Sequence, residues 1–234
     1  MVAATGRLPP VSGLLDEFFA LNWSTWLDTV TRRGDRLSKV FAHMTMSLDG
    51  YVADHNDQVG ELFDWYNAGD VAVPSTRPDI PFSVDAASAE FLGELIAATG
   101  VLVAGRRVFD MTDGWDDNHP AGAPVVVVTH NTPDHPRKWP KTTFVDGVAE
   151  AIARARTIAG DKDVNILSPN IIQQAIDLGL VDEVRVSLAP VIFGAGIPYL
   201  ATHQRHLLAD PTTVVQGRRA IHLVYPVRRE PRNR

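Results

Sequence analysis

Apolar positions recur along this chain in two rhythms. Over residues 12–31, Leu14, Leu15, Phe18, Phe19, Trp26, Leu27 and Val30 fall at helical spacing. That stripe predicts an amphipathic helix, closed by Arg32, Arg33 and Gly34. From residue 39 onward, short β-branched runs alternate with helical patterns. Strands are expected at 39–46, 101–104, 124–130, 142–145, 164–167 and 181–191, and helices at 85–99 and 148–158. In the first of these helices Asp85 is a plausible N-cap, with Ala89, Leu92, Leu95 and Ile96 turned inward; in the second the inward set is Ala151, Ile152 and Ala155. Gly105 opens a further helix through Arg106, Arg107, Val108 and Phe109. Two last runs, 212–215 and 220–227, are divided by Gly217 and read as an antiparallel pair. Strands alternating with helices predict an α/β fold with a mostly parallel sheet.

The clearest unit lies at 164–200. Its strand runs into Ser168, a residue type whose hydroxyl caps free N–H groups, and then Pro169, which suits the first helical position. Ile171, Ile172, Ala175, Ile176 and Leu178 give the helix one apolar face, and Gly179 ends it. Strand, abrupt helix and strand make a βαβ-type unit. The start of such a helix suits an anion such as a pyrophosphate; a plain crossover without a ligand has the same pattern.

Composition narrows the classes. With 234 residues, 45% apolar and 21% charged, the chain is an ordinary globular one, long enough for a buried core. A net charge of −6 argues against nucleic-acid and anionic-membrane partners. Without cysteine there is no disulfide, thiolate nucleophile or Cys-based metal site. His203 and His206 stand three apart, with no carboxylate following at metal spacing, so no metal is expected. No apolar run approaches the roughly 18 residues of a membrane span. The start of the chain lacks a basic segment followed by an apolar one, so a cytoplasmic location is expected.

Three stretches then carry a resemblance. Gly179-Leu180-Val181-Asp182-Glu183 leads into Pro190-Val191 and Gly194-Ala195-Gly196; Ser47-Leu48-Asp49-Gly50 follows the first core strand; Gly105-Arg106-Arg107-Val108-Phe109 follows the third element. Over about 39–227 the chain resembles the dihydrofolate-reductase-like superfamily. It is most similar to the reductase domain of the bifunctional riboflavin-biosynthesis deaminase/reductase and its single-domain relatives. The resemblance implies a three-layer α/β/α sandwich of dihydrofolate-reductase type, with a mostly parallel twisted sheet and an antiparallel C-terminal edge. It divides the chain into an N-terminal extension with one helix (1–36), the main domain (37–228) and a basic tail (229–234).

The same resemblance implies NADPH as cofactor, a small-molecule substrate and a homodimer. It assigns the cofactor to Gly105, Arg106, Arg107, Thr129, His130, Ser168, Asn170 and Ile171. It places Asp49 as the catalytic, proton-relaying group and Ser47, Trp65 and Tyr66 at the substrate. The residues also admit plainer roles: Trp65 and Tyr66 as anchors of the long irregular stretch 54–81, and the arginines as a solvated helix start. Three departures matter. Leu167 and Ser168 stand where the family has a Gly-Gly pair, with Pro169 after them; Val108 replaces a threonine; and the N-terminal helix is an addition. The expected activity is NAD(P)H-dependent reduction of a small heterocyclic or carbonyl-type compound. The alternative is a repurposed relative with a degraded nicotinamide site, acting without the cofactor or as a small-molecule binding protein.

Overall fold

The computed structural model describes residues 38–228. The helix expected at 12–31 and the tail 229–234 lie outside the described residues. An eight-stranded sheet forms the middle layer. In chain order its strands are β1 (Val40–Met46), β5 (Thr99–Gly105), β6 (Val125–Val128), β7 (Thr142–Val145), β8 (Asp163–Ile166), β9 (Glu183–Leu188), β11 (Thr213–Gln216) and β12 (Ile221–Pro226). Short strands β2 (Tyr51–Ala53) and β10 (Ile197–Pro198) pair with each other, as do β3 (Val71–Val73) and β4 (Phe82–Val84). The large sheet runs β11-β12-β9-β1-β8-β5-β6-β7. Strands β1, β5, β6, β7, β8 and β9 are mutually parallel, and β12 runs against β9 to make the antiparallel edge.

Among the described residues, four α-helices cover the two faces: α1 (Ala86–Ala98), α2 (Arg106–Met111), α3 (Val148–Ala159) and α4 (Pro169–Asp177). Alternation along β5 shows how one strand serves both layers. Val101 and Val103 join the core made with Ala151, Ile152 and Ala155 of α3 and Ile172 of α4. Leu102 and Ala104 point the other way, to Phe109 of α2. On that second face Phe41 of β1 meets Phe91 and Leu95 of α1. Burial on both faces is why these strands read as continuous apolar runs rather than alternating ones.

Several expectations are corrected in detail. The βαβ-type unit at 164–200 does form: β8 and β9 run parallel in one sheet, with β1 between them and paired with both. The expected strand 181–191 is shorter, Glu183–Leu188, because its ends turn into the loops that enter and leave the sheet. The stretch 54–81 is not irregular throughout; it contains the 3-10 helix Gly60–Asn67, which buries Leu62 and Trp65. Gly179 has φ +68°, so it closes α4 in the left-handed conformation that glycine adopts without strain. Asp85 caps α1 as expected, accepting from the N–H groups of Ala87 and Ser88 at 3.1 Å each.

One segment is unusual. Asp113, Gly114, Trp115, Asp116 and Asp117 all have positive φ. A left-handed turn costs roughly 1–2 kcal/mol per non-glycine residue, so its surroundings must hold it. Arg77 Nη1 donates to the Trp115 carbonyl at 2.7 Å, and Trp139 Nε1 to that of Asp113 at 3.1 Å. The Asp117 carboxylate accepts from the Lys141 N–H and the Thr142 hydroxyl.

Candidate functional site

Because β1, β5, β6, β8 and β9 are parallel, the residues just beyond their carboxyl ends lie along one edge of the sheet, where ligands of such sheets sit. Ser47 to Asp49 follow β1, Gly105 ends β5, Thr129 and His130 follow β6, and Leu167 and Ser168 follow β8. Direct hydrogen bonds join these strand ends in pairs.

The β5–β8 junction departs most from expectation. Ser168 stands at the N-cap position of α4, and its carbonyl accepts from Ile172 N–H at 2.9 Å. Its hydroxyl, however, caps nothing in α4; it accepts from the Gly105 N–H at 2.8 Å. A Cβ on Gly105 would lie 3.3 Å from Ile171 Cγ1 and 3.6 Å from Ser168 Cβ. The space beside Gly105 is thus filled by the chain's own side chains, and Ser168 and Ile171 are themselves buried. Asn170 faces outward, its side chain accepting from Gln174.

Around this junction the basic side chains are accessible but paired. Arg106 Nε donates to Asp110 at 2.7 and 2.9 Å, and its Nη1 to the Asn131 carbonyl at 2.7 Å. Arg107 pairs with Asp57, which holds the guanidinium charged above its ordinary range. His130 Nδ1 lies 2.6 Å from Asp146, both side chains largely exposed. The Thr129 hydroxyl donates to the Asn131 carbonyl at 2.9 Å and accepts from its N–H at 3.2 Å. Sequence reading gave no sign of Asp57, Asp110 or Asp146 as partners; only Asp110, four residues after Arg106 on α2, had a spacing that could have revealed it.

At the β1–β9 end, Asp49 is a hub. Its carboxylate accepts from the Ser47 hydroxyl at 2.6 Å, from Phe193 N–H at 3.2 Å and from Gly194 N–H at 2.7 Å. The Ser47 bond first, and then those from Gly194 and Phe193, hold the carboxyl below the usual range despite some desolvation. Leu48 N–H donates to the Val191 carbonyl at 2.8 Å, so one backbone–backbone bond and the Asp49 carboxylate together clasp the 191–196 loop to the β1 turn. Ser47 has no exposed surface. Trp65 is likewise fully buried: its Nε1 donates to Thr45 Oγ1 at 3.2 Å and its ring packs on His222 and Tyr66. Tyr66 is half-buried, between Phe63 and Phe82. These three substrate-side residues therefore belong to the core beneath the edge, with only Tyr66 retaining some outer surface. His206, one of the paired histidines of the sequence, lies 2.9 Å from Asp177 at the end of α4. Among the described residues, no helix is long and apolar enough to cross a membrane.

Comparison with known proteins adds a family. A model of the RibD C-terminal domain matches residues 38–216. No curated protein matches. Among solved structures, a protein of Shewanella sp. PV-4 named for riboflavin biosynthesis shares 22% identity, with a TM-score of 0.62 over 82% of this chain and 99% of that one. RibD of Acinetobacter baumannii shares 13%, TM-score 0.52, over 82% of this chain and 58% of that one. The diaminohydroxyphosphoribosylaminopyrimidine deaminase/5-amino-6-(5-phosphoribosylamino)uracil reductase of Thermotoga maritima shares 12%, TM-score 0.50, over 82% and 57%. The chain thus spans less than two thirds of those two longer proteins. At these identities the likeness is one of fold.

Proposed function

The chain belongs to the RibD C-terminal domain family, and from that premise we propose that it is a reductase of riboflavin-pathway type acting on a small heterocyclic or carbonyl-type compound. The observation that carries this reading is the family match over 38–216, whose strand-end motifs fall along one edge of the sheet. Reductases of this frame take hydride from a nicotinamide, with the protein supplying orientation and electrostatics.

The residues present fit that group only in part. Arg106, Arg107 and His130 are exposed to different degrees, and their pairs are of the surface kind, weak and screened by salt. They can exchange a carboxylate for a phosphate, with Thr129 and Asn170 beside them as polar neighbours. The backbone half does not fit a pyrophosphate lying across Gly105: the N–H it needs is taken by Ser168, and Ile171 closes the space. Asp49 acts in this reading through the 191–196 loop it holds, since a carboxylate that accepts three hydrogen bonds carries no proton to give near neutral pH.

The Ser168–Gly105 bond favours a second reading, in which the frame has been kept for a reaction or binding role without the nicotinamide. One assay separates the two. NADPH oxidation is followed with aminouracil and small carbonyl compounds, beginning with the 5-amino-6-(5-phosphoribosylamino)uracil named for the Thermotoga relative. Substrate-dependent oxidation supports the reductase. A compound that is bound or converted equally well with and without NADPH contradicts it and favours the second reading. A homodimer is part of the proposal; light scattering should give a mass near twice 25.6 kDa.

A further inference from the structure

A buried polar row crosses the second face of the sheet, apart from the edge described above. His43 Nε2 lies 3.1 Å from Ser187 Oγ, Ser187 Oγ 2.9 Å from His222 Nδ1, and His222 Nε2 3.0 Å from Ser88 Oγ. The Ser88 hydroxyl in turn donates to Asp85 Oδ2 at 2.7 Å. Ser187, His222 and Ser88 have no exposed surface. The row links β1, β9, β12 and the first turn of α1. Phe91 stacks on His222 with ring centroids 4.4 Å apart, and Trp65 meets its edge at 4.9 Å, so aromatic rings pack against His222 on two sides.

Donor and acceptor counting fixes every hydrogen. Asp85 accepts from four donors: Ala87 N–H, Ser88 N–H, the Ser88 hydroxyl and Arg218 N–H. It is therefore an ionised, acceptor-only end. Ser88 spends its single hydrogen on Asp85, so it must accept from His222 Nε2–H. His222 is neutral with a bare Nδ1, which must accept from Ser187. Ser187 has then spent its own hydrogen and must accept from His43 Nε2–H. All four bonds point the same way.

We propose that these five side chains form a one-way relay, in which the charge on Asp85 dictates which nitrogen of both histidines carries the proton. Neutralising the Asp85 end reverses the whole row. A protonated Asp85 donates to Ser88, Ser88 to His222 Nε2, His222 Nδ1–H to Ser187, and Ser187 to His43 Nε2. His43 then carries its proton on Nδ1. The row gains one proton in all: as each hydrogen moves one place toward Asp85, one enters at His43 Nδ1. The relay thus couples the α1 cap and the turn after β11 to a strand at the centre of the sheet. The groups facing it are accounted for. Arg185 of β9 is paired with Glu183, Arg219 of the β11–β12 turn with Asp64, and Arg218 donates its side chain to the Ala68 carbonyl. Burial first, and then the charge of Arg185, lower the His43 pKa to about 3; burial lowers that of His222 to about 4, against the raising influence of Asp85, so both are neutral at ordinary pH.

The test uses nitrogen-15 histidine spectra of the full chain, which report each ring's tautomer. In the wild type, His43 and His222 should both carry the proton on Nε2. Asp85→Asn keeps a good N-cap, because the amide oxygen can face Ala87 and Ser88 N–H while its NH2 faces the Ser88 hydroxyl, at the cost of the bond from Arg218 N–H. That variant should move the proton of both rings to Nδ1, although His43 touches neither Asp85 nor Ser88. Adding Ser88→Ala to it should abolish the change. A wild-type His222 protonated on Nδ1, or a His43 ring that ignores Asp85→Asn in a folded protein, would overturn the relay. The wild-type spectrum decides alone where the variant does not fold.

Discussion

The Asp49 carboxylate holds two backbone N–H groups of the 193–194 turn and the Ser47 hydroxyl at once, and an amide in its place has one acceptor oxygen instead of two. Asp49→Asn should therefore release part of the loop. Hydrogen exchange at Phe193 and Gly194 should quicken, on the order of tenfold, while the core strands stay protected. If exchange there is unchanged, Asp49 is not the clasp. The Ser-Leu-Asp-Gly motif made Asp49 legible as a site residue in the sequence, but its backbone partners Phe193 and Gly194 were not, because they lie more than a hundred residues away in the chain. Ser168 was legible as a helix start for the right reason of position. The target of its hydroxyl was hidden, since only the β5–β8 pairing brings Gly105 to it. Trp65 could not be told from a ligand wall by residue type; the burial that decides it comes from the unforeseen 3-10 helix.

At the level of elements, the helices were the most readable, because α1, α3 and α4 carry apolar residues at helical spacing and Gly179 marks the stop of α4. Strand existence was readable too, while strand neighbours were not: nothing local says that β1 separates β8 and β9. The left-handed turn at Asp113–Asp117 left no signal beyond its one glycine, since its stability lies in Arg77, Trp139, Lys141 and Thr142 from other segments. Asp85 offers the sharpest element-level prediction. Asp85→Ala removes the α1 cap and also strands the Arg218 N–H and the Ser88 hydroxyl. A loss of about 1–2 kcal/mol is expected, seen as a Tm lower by roughly 2–8 °C. A melting temperature equal to wild type would mean that the bonds to Asp85 contribute nothing to holding the α1–β12 junction.

For the molecule as a whole, buried neutral histidines set the acid behaviour. His43, His119 and His222 have their pKa values lowered from 6.5, to about 3, 4 and 4, chiefly by burial. Below 6.5 the unfolded chain binds protons that the folded chain refuses. Stability is therefore complete above about pH 6.5 and falls as the pH drops toward the folded values. Urea midpoints should be lower at about pH 5 than at about pH 7.5 with an unchanged slope; equal midpoints would mean these rings are solvated. Over the same frame, the central claim concerns the closed cradle at Gly105. Fluorescence titration with NADPH tests it, comparing the wild type with a variant carrying Leu167→Gly, Ser168→Gly and Pro169→Ala. Losing one or two phosphate hydrogen bonds, at roughly 1.5–3 kcal/mol each, costs on the order of one to four decades of affinity. The account predicts weak binding by the wild type, toward the millimolar range, and tightening by at least about tenfold in the variant. Micromolar binding by the wild type, with no gain on opening the cradle, would contradict it.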